Sequence, residues 1–218
     1  MLRDWAHSTL LSLLTACGAN VERSAATPTA EVFGFSPNRC APPIVGVRFD
    51  GIEDNETTRV VQRIVDADQA ARTNVDFSKM SDRESRSVWA ADRRRREELL
   101  VLLQGGKVNK PQSLASAALV FQHGNCPDHF LLANQLAKYA MNAGEESAGE
   151  LFAATQDRWL MSQNKPQKFG TQYMHVNGNW ILHEVDPNTT DDERRKYNVP
   201  TLAEAQAKAD EMNRIEEK

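Results

Sequence analysis

Residues 110–163, KPQSLASAALVFQHGNCPDHFLLANQLAKYAMNAGEESAGELFAATQDRWLMSQ, hold three helix-length segments: Lys110 to His123, Pro127 to Ala143 and Glu146 to Gln163. Gly124-Asn125 and Gly144 separate them, and Pro127 suits a first helical turn, where its missing N–H leaves no bond unmade. Leu114, Ala117, Ala118 and Phe121 recur at three- and four-residue steps, as do Leu132, Gln135, Leu136, Tyr139 and Ala140, then Leu151, Ala154, Thr155, Arg158 and Trp159. That period puts one stripe of each helix on a common face. Alanines on facing stripes let helices approach closely, as in tetratricopeptide and Sel1-type helix pairs. No strict repeat period is present. The fold expected is mainly α: an antiparallel helical bundle with TPR/Sel1-like helix-pair packing.

Upstream, Asn55 to Asn74 carries Val60, Val61, Ile64, Val65, Ala67 and Ala71 at helical spacing. A longer helix is expected from Ser81, with Glu84 at the capping-box position, to Leu103, where Gly105-Gly106 stops it. Its basic run, Arg93 to Arg96, is bracketed by Asp92, Glu97 and Glu98. The i,i+4 pairs Asp92/Arg96, Arg93/Glu97 and Arg94/Glu98 predict a solvated helix face. Downstream, Tyr173 to Val176 and Asn179 to Leu182 are β-prone runs joined by Asn177-Gly178, the signature of a hairpin with a type I′ turn, placed near residues 173–183. A short charged helix from Thr190, a break at Tyr197 to Pro200 and a last helix capped by Thr201 complete the chain.

The N-terminus gives an address. An apolar run from Thr9 to Ala16 ends in Leu14-Thr15-Ala16-Cys17, which resembles the lipobox of bacterial lipoproteins. The run is far shorter than the roughly 20 apolar residues of a membrane span. The resemblance implies a signal peptide over residues 1–16, lipidation of Cys17 and a membrane partner reached through that anchor. Gly18 rather than aspartate after the cysteine leans the address to the periplasmic side of the outer membrane. Residues 17–50 read as tether and loop, with Ile44 to Val47 a short strand, and residues 51–218 as a single helical domain. In an oxidising compartment Cys40 and Cys126 are left as a candidate disulfide, the alternative being two free thiols. A net charge of −4 argues against nucleic acid as a partner, which wants a basic face.

Four polar elements stand out: Asp68-Gln69 with Arg72, Gln122-His123-Gly124, Asp157-Arg158, and Gln167-Lys168-Phe169-Gly170-Thr171-Gln172. Together they resemble a bacterial family of uncharacterised, mainly helical domains marked by D-Q-x-x-R, Q-H, D-R and Q-x-[FY]-G-T-Q. The resemblance covers roughly residues 57–212 and implies fold and kinship, not an activity.

Two chemistries fit these residues. His123, at a helix end and with Asp157 or Asp68 nearby, has the ordinary pKa of a general acid or base. Arg72 or Arg158 can hold a carboxylate or phosphate in bidentate fashion, and Thr171 and Gln172, on a loop hinged at Gly170, can donate hydrogen bonds. That reading makes His123 and Asp157 catalytic in a hydrolase, with Arg158 and Gln172 positioning substrate and Asp68, Gln69, Arg72, Gln122, Gly170 and Thr171 in the same binding set. The other reading is a satisfied polar network that pins a loop against the bundle. The second is favoured, because neither a nucleophile nor a metal set accompanies the first. His123 and His129 lack helical i,i+4 spacing, and His175 and His183, on the two hairpin arms, lack a third ligand. No cofactor or metal is expected. Trp159, Phe169, Tyr173 and Trp180 read as core around the loop and hairpin. The function expected is that of an envelope lipoprotein whose helical domain binds an envelope protein or ligand.

Overall fold

A computed structural model describes Cys40, residues 49–73, Val75 and residues 79–216. The lipobox, Cys17, the strand expected at Ile44 to Val47 and most of the tether lie outside the described residues.

Among the described residues, seven helices and one hairpin follow in chain order: α1 (Asn55–Ala70), α2 (Asp82–Gln104), α3 (Pro111–Phe121), α4 (Pro127–Asn142), α5 (Ala148–Met161), β1 (Tyr173–Val176), β2 (Asn179–Leu182), α6 (Asp191–Arg195) and α7 (Leu202–Glu216). The starts are chemically marked. Asp54 accepts from Thr57 N at 2.6 Å, and Ser81 forms a complete capping box with Glu84. α3 has no capping bond from its own N-cap residue, Lys110. Glu53 instead reaches across from the entry to α1, accepting from Asn109 N at 2.8 Å, Lys110 N at 3.2 Å and Ser113 Oγ at 2.6 Å. A carboxylate there also suits the positive end of the helix dipole.

The stripes read from the sequence meet in one core. Leu114, Ala117, Ala118 and Phe121 of α3 pack with Leu132, Ala133, Leu136, Ala137 and Ala140 of α4, and Val61, Ile64, Leu99, Leu103 and Leu151 belong to the same cluster. α4 makes its most extensive contacts with α3 and α5, so the three central helices stack in sequence order. Asn134 stitches α4 to α5, donating to Phe152 O at 3.0 Å and Thr155 Oγ1 at 3.3 Å.

The hairpin is antiparallel, pairing Tyr173 with Leu182 and His175 with Trp180, so His175 and His183 do not face each other. Asn177 and Gly178 both have positive φ (51° and 82°), as a type I′ turn requires. α7 closes over it. Asn213 acts like an added strand, accepting from Trp180 N at 2.6 Å and donating to Trp180 O at 2.9 Å. Of the aromatics expected in the core, Phe169 and Tyr173 are buried, while Trp159 and Trp180 are half-buried.

Two expectations are corrected. α1 ends at Ala70 rather than Asn74, with the N–H groups of Arg72 and Thr73 both turned onto Gln69 O. The basic run of α2 is not simply a solvated face: Asp92 and Arg96 are buried, and Asp92 pairs with Arg95 and Arg72, while Glu98 pairs with Arg63 of α1.

Cys40 and Cys126 are joined in a disulfide with Cα atoms 6.3 Å apart and a sequence separation of 86. Closing a loop of that length removes about 4–5 kcal/mol of chain entropy from the unfolded state. Reduction, or Cys40→Ser, is therefore expected to lower the urea unfolding free energy of the full chain by several kcal/mol. An unchanged midpoint under reductant would show that the bridge contributes nothing.

Candidate functional site

The polar residues assemble into two networks. The first surrounds Asp157, fully buried in the last turns of α5. One carboxylate oxygen accepts from Lys168 N at 2.7 Å and Phe169 N at 2.8 Å, the other from Thr171 N at 3.0 Å and Thr171 Oγ1 at 2.7 Å. The loop wraps round the carboxylate because Gly170 takes φ +85°, a conformation that favours glycine. Gln167 ties the loop to the hairpin: its Oε1 accepts from Gln172 N at 2.8 Å, and its Nε2 donates to Gln172 O at 3.0 Å and His183 O at 2.8 Å. Gln172 in turn donates to Thr171 Oγ1 at 2.9 Å. From the far side Arg194, buried in α6, donates to Phe169 O at 2.9 Å and Thr189 O at 2.7 Å. Burial pushes the Asp157 carboxyl above its ordinary value, and the pull of the four donors offsets only part of that rise.

The second network joins α1, α2 and the end of α3. Asp68 is fully buried. Its Oδ2 lies 2.8 Å from His123 Nδ1 and accepts from Gln69 Nε2 at 3.0 Å, and its Oδ1 is 3.0 Å from Arg72 Nη1. Arg72 also donates to Asp68 O at 2.8 Å and to Asp92 Oδ2 at 2.9 Å. Arg95 pairs with Asp92 and stands 3.8 Å from Asp68. Arg96 donates to His123 O at 3.2 Å. Gly124 lets the turn after His123 press on α4, since a β-carbon there would lie 2.2 Å from His129 Cβ.

The electrostatics assign a protonation state. Burial disfavours an ionised Asp68, but the His123, Arg72 and Arg95 groups outweigh it and hold the carboxyl below its ordinary value. Burial pushes the His123 imidazole down against the pull of Asp68, with Arg72 and Arg158 adding to the descent. A neutral imidazole beside an ionised carboxylate must carry its proton on Nδ1. Nε2 then presents a lone pair, and among the described residues no hydrogen bond reaches it.

Of the two carboxylates expected beside His123, the fold uses Asp68. Asp157 is saturated by the loop, so the catalytic pairing of His123 with Asp157 is not assembled. Thr171 and Gln172 belong to the loop network, and Gln122 is buried at the end of α3. Arg158 is buried close enough to act on His123 electrostatically. Sequence reasoning missed Asp92, Arg95 and Arg96 as members of the His123 cluster. The available signal was Asp92 and Arg96 in line with Leu99 and Leu103 on one stripe of α2. Comparison of the chain with family models, curated proteins and solved structures finds no match.

Two outcomes follow from this geometry. Asp157→Ala strips the acceptor from three backbone N–H groups and is expected to cost roughly 3–5 kcal/mol in urea unfolding; a loss under about 1 kcal/mol would mean the loop holds itself. The second concerns pH. Burial and Arg96 push His129 down to about 4, against Asp128. An imidazole lowered in the fold binds its proton more weakly than in the unfolded chain, so its contribution is complete above about pH 6.5 and lost as pH falls to about 4. That shift corresponds to roughly 3 kcal/mol. His123 acts in the same sense, and Asp68, lowered, adds a loss below the ordinary carboxylate range near pH 4. Asp157 and Glu150, raised by burial, act in the opposite sense, so the test is a comparison of variants. The urea midpoint should fall more between pH 7 and 4 in the wild type than in His129→Gln, and parallel profiles would refute the assignment.

Proposed function

We propose that the chain is a bacterial envelope lipoprotein, anchored through Cys17, whose helical domain is a docking module for another envelope protein. The observation that carries the reading is the overhang of α2. Ser85, Val88 and Trp89 continue the inward stripe of Asp92, Arg96, Leu99 and Leu103, yet no residue from Asp82 to Ala91 is buried. Trp89 is 66 % exposed. Ten residues of helix extend about 15 Å, and a tryptophan on such a projection is the side chain that most often anchors a protein interface. Arg83, Arg86, Arg93 and Arg94, all exposed, rim it. The partner that fits is a protein with an apolar pocket and an acidic edge.

The internal saturation of the Asp157 network supports the same reading, since Gln172 and Thr171 spend their hydrogen bonds on the loop. The hydrolase alternative would have to run through Asp68 and His123 instead. The lipobox supports the address.

The test has two parts. Cys17→Ala is expected to move the protein from the membrane fraction to the soluble one. A photo-crosslinking residue at position 89 of the full chain is expected to give one discrete adduct in intact cells, competed by excess wild-type protein and lost in an Arg86→Glu/Arg93→Glu background. A crosslink pattern no different from that of the same residue at position 59, on exposed α1 surface, would refute the docking role.

A further inference from the structure

The two sulfurs of the Cys40–Cys126 bridge have different surroundings. Cys126 is the N-cap residue of α4, a helix of 16 residues, and its side chain makes no capping bond there. It is half-buried, whereas Cys40 is exposed. His129 Nδ1 stands 3.2 Å from Cys126 Sγ. The ring is hemmed in: a β-carbon on Gly124 would lie 2.2 Å from His129 Cβ, and the Phe121 ring is centred 6.1 Å away. Asn125 N donates to the same Nδ1 at 3.4 Å, so the neutral imidazole carries its proton on Nε2 and turns a lone pair to the sulfur. Burial and Arg96 of α2 keep the ring neutral in the bridged state, against the pull of Asp128. Asp128 Oδ2 also accepts from Cys40 N at 2.6 Å, which fixes the Cys40 backbone against the start of α4.

We propose that the Cys40–Cys126 bridge is a thiol–disulfide exchange site, opened by an external dithiol that attacks Cys40 Sγ and expels Cys126 as the leaving thiolate. The incoming thiolate bonds to Cys40 Sγ, and the electron pair of the Cys40–Cys126 bond goes to Cys126 Sγ. The reagent's second thiolate then attacks the reagent sulfur of the mixed disulfide and releases Cys40. The reagent is thereby oxidised to a disulfide by two electrons, and the bridge becomes two thiols that take up the two protons the reagent lost. Exposure directs the attack to Cys40, and the more acidic thiol is the faster leaving group. Cys126 is acidified from two sides. At the N-cap its thiolate meets the positive end of α4, in the position from which capping side chains accept N–H bonds. Across 3.2 Å, His129 Nδ1 takes a proton from solvent as the thiolate forms and shares it with the sulfur. Arg96 adds positive charge from α2 and Asp128 opposes it. Loop entropy favours the closed bridge; what favours opening is local to Cys126. The site is distinct from the α2 overhang and does not rest on the docking role.

The experiment uses the oxidised full-length chain in detergent. Glutathione, a monothiol, is added, freed thiols are trapped with iodoacetamide, and the adduct is located by peptide mapping, which also keeps Cys17 apart. Glutathione is expected on Cys40 with Cys126 alkylated, in about tenfold or greater excess over the reverse. Dithiothreitol is expected to open the bridge at a rate unchanged by urea well below the unfolding midpoint. In Cys40→Ser, the pH profile of Cys126 alkylation is expected to show a thiol at least about tenfold more acidic than an ordinary one of pKa about 8.5. His129→Gln is expected to return that profile toward the ordinary range and, in the bridged protein, to slow opening several-fold. Glutathione on Cys126 as often as on Cys40, or opening that waits for unfolding, overturns the proposal on the wild-type protein alone. A Cys126 thiol of ordinary acidity, or opening equally fast in His129→Gln, overturns it as well.

Discussion

The arrangement of the C-terminal third depends on one buried carboxylate. A carboxyl group buried as deeply as that of Asp157 is tolerable only if its oxygens are met by donors, and the chain supplies them from one place, the turn from Lys168 to Thr171. Everything downstream inherits its position from that grip. Gly170 must turn left-handed to complete it, Gln167 must lie flat against Gln172 and His183, and Arg194 must reach in to take the carbonyl of Phe169. The hairpin is bonded to that loop through Gln167, and α7 to the hairpin through Asn213. Networks of this kind are worth more intact than the sum of their parts, because a single unmet group inside them is expensive.

The Asp68 network is built on a different balance. The Asp157 site is a carboxylate enclosed by neutral donors, but the Asp68 site is an array of alternating charges across α1 and α2, closed by His123 from the end of α3. Its ion pairs are weak arguments for stability, since desolvation offsets much of their attraction. They are strong arguments for registry: Asp92 can pair with Arg72 and Arg95 only if α1 and α2 are correctly phased. The same array determines the tautomer of His123, and so one group of charges both aligns the helices and sets the chemistry of the one imidazole among them.

The legibility of these features in the sequence differs for physical reasons. Helices with alanine and leucine at a 3.6-residue period, the capping box at Ser81 and Glu84, and the Asn-Gly hairpin are local features, set by neighbours within a few positions. They were therefore readable one segment at a time. The reading of Arg93 to Arg96 failed because charge alternation on a helix looks the same whether the partners are on that helix or the next. Asp92 chose Arg72, twenty residues away, over Arg96 one turn along. The cap on α3 was unreadable for the same reason, since Glu53 lies far upstream in the chain.

The choice between Asp68 and Asp157 as the partner of His123 marks the division most clearly. The sequence by itself determined that this is a mainly helical chain with a small hairpin, and which polar residues were candidates for its site, because composition, period and turn chemistry act over short range. Only the tertiary structure decided that Asp157 belongs to a loop and Asp68 to a histidine. That choice depends on which oxygens are already filled when the helices pack, and no local pattern records a competition between donors brought together from opposite ends of the fold.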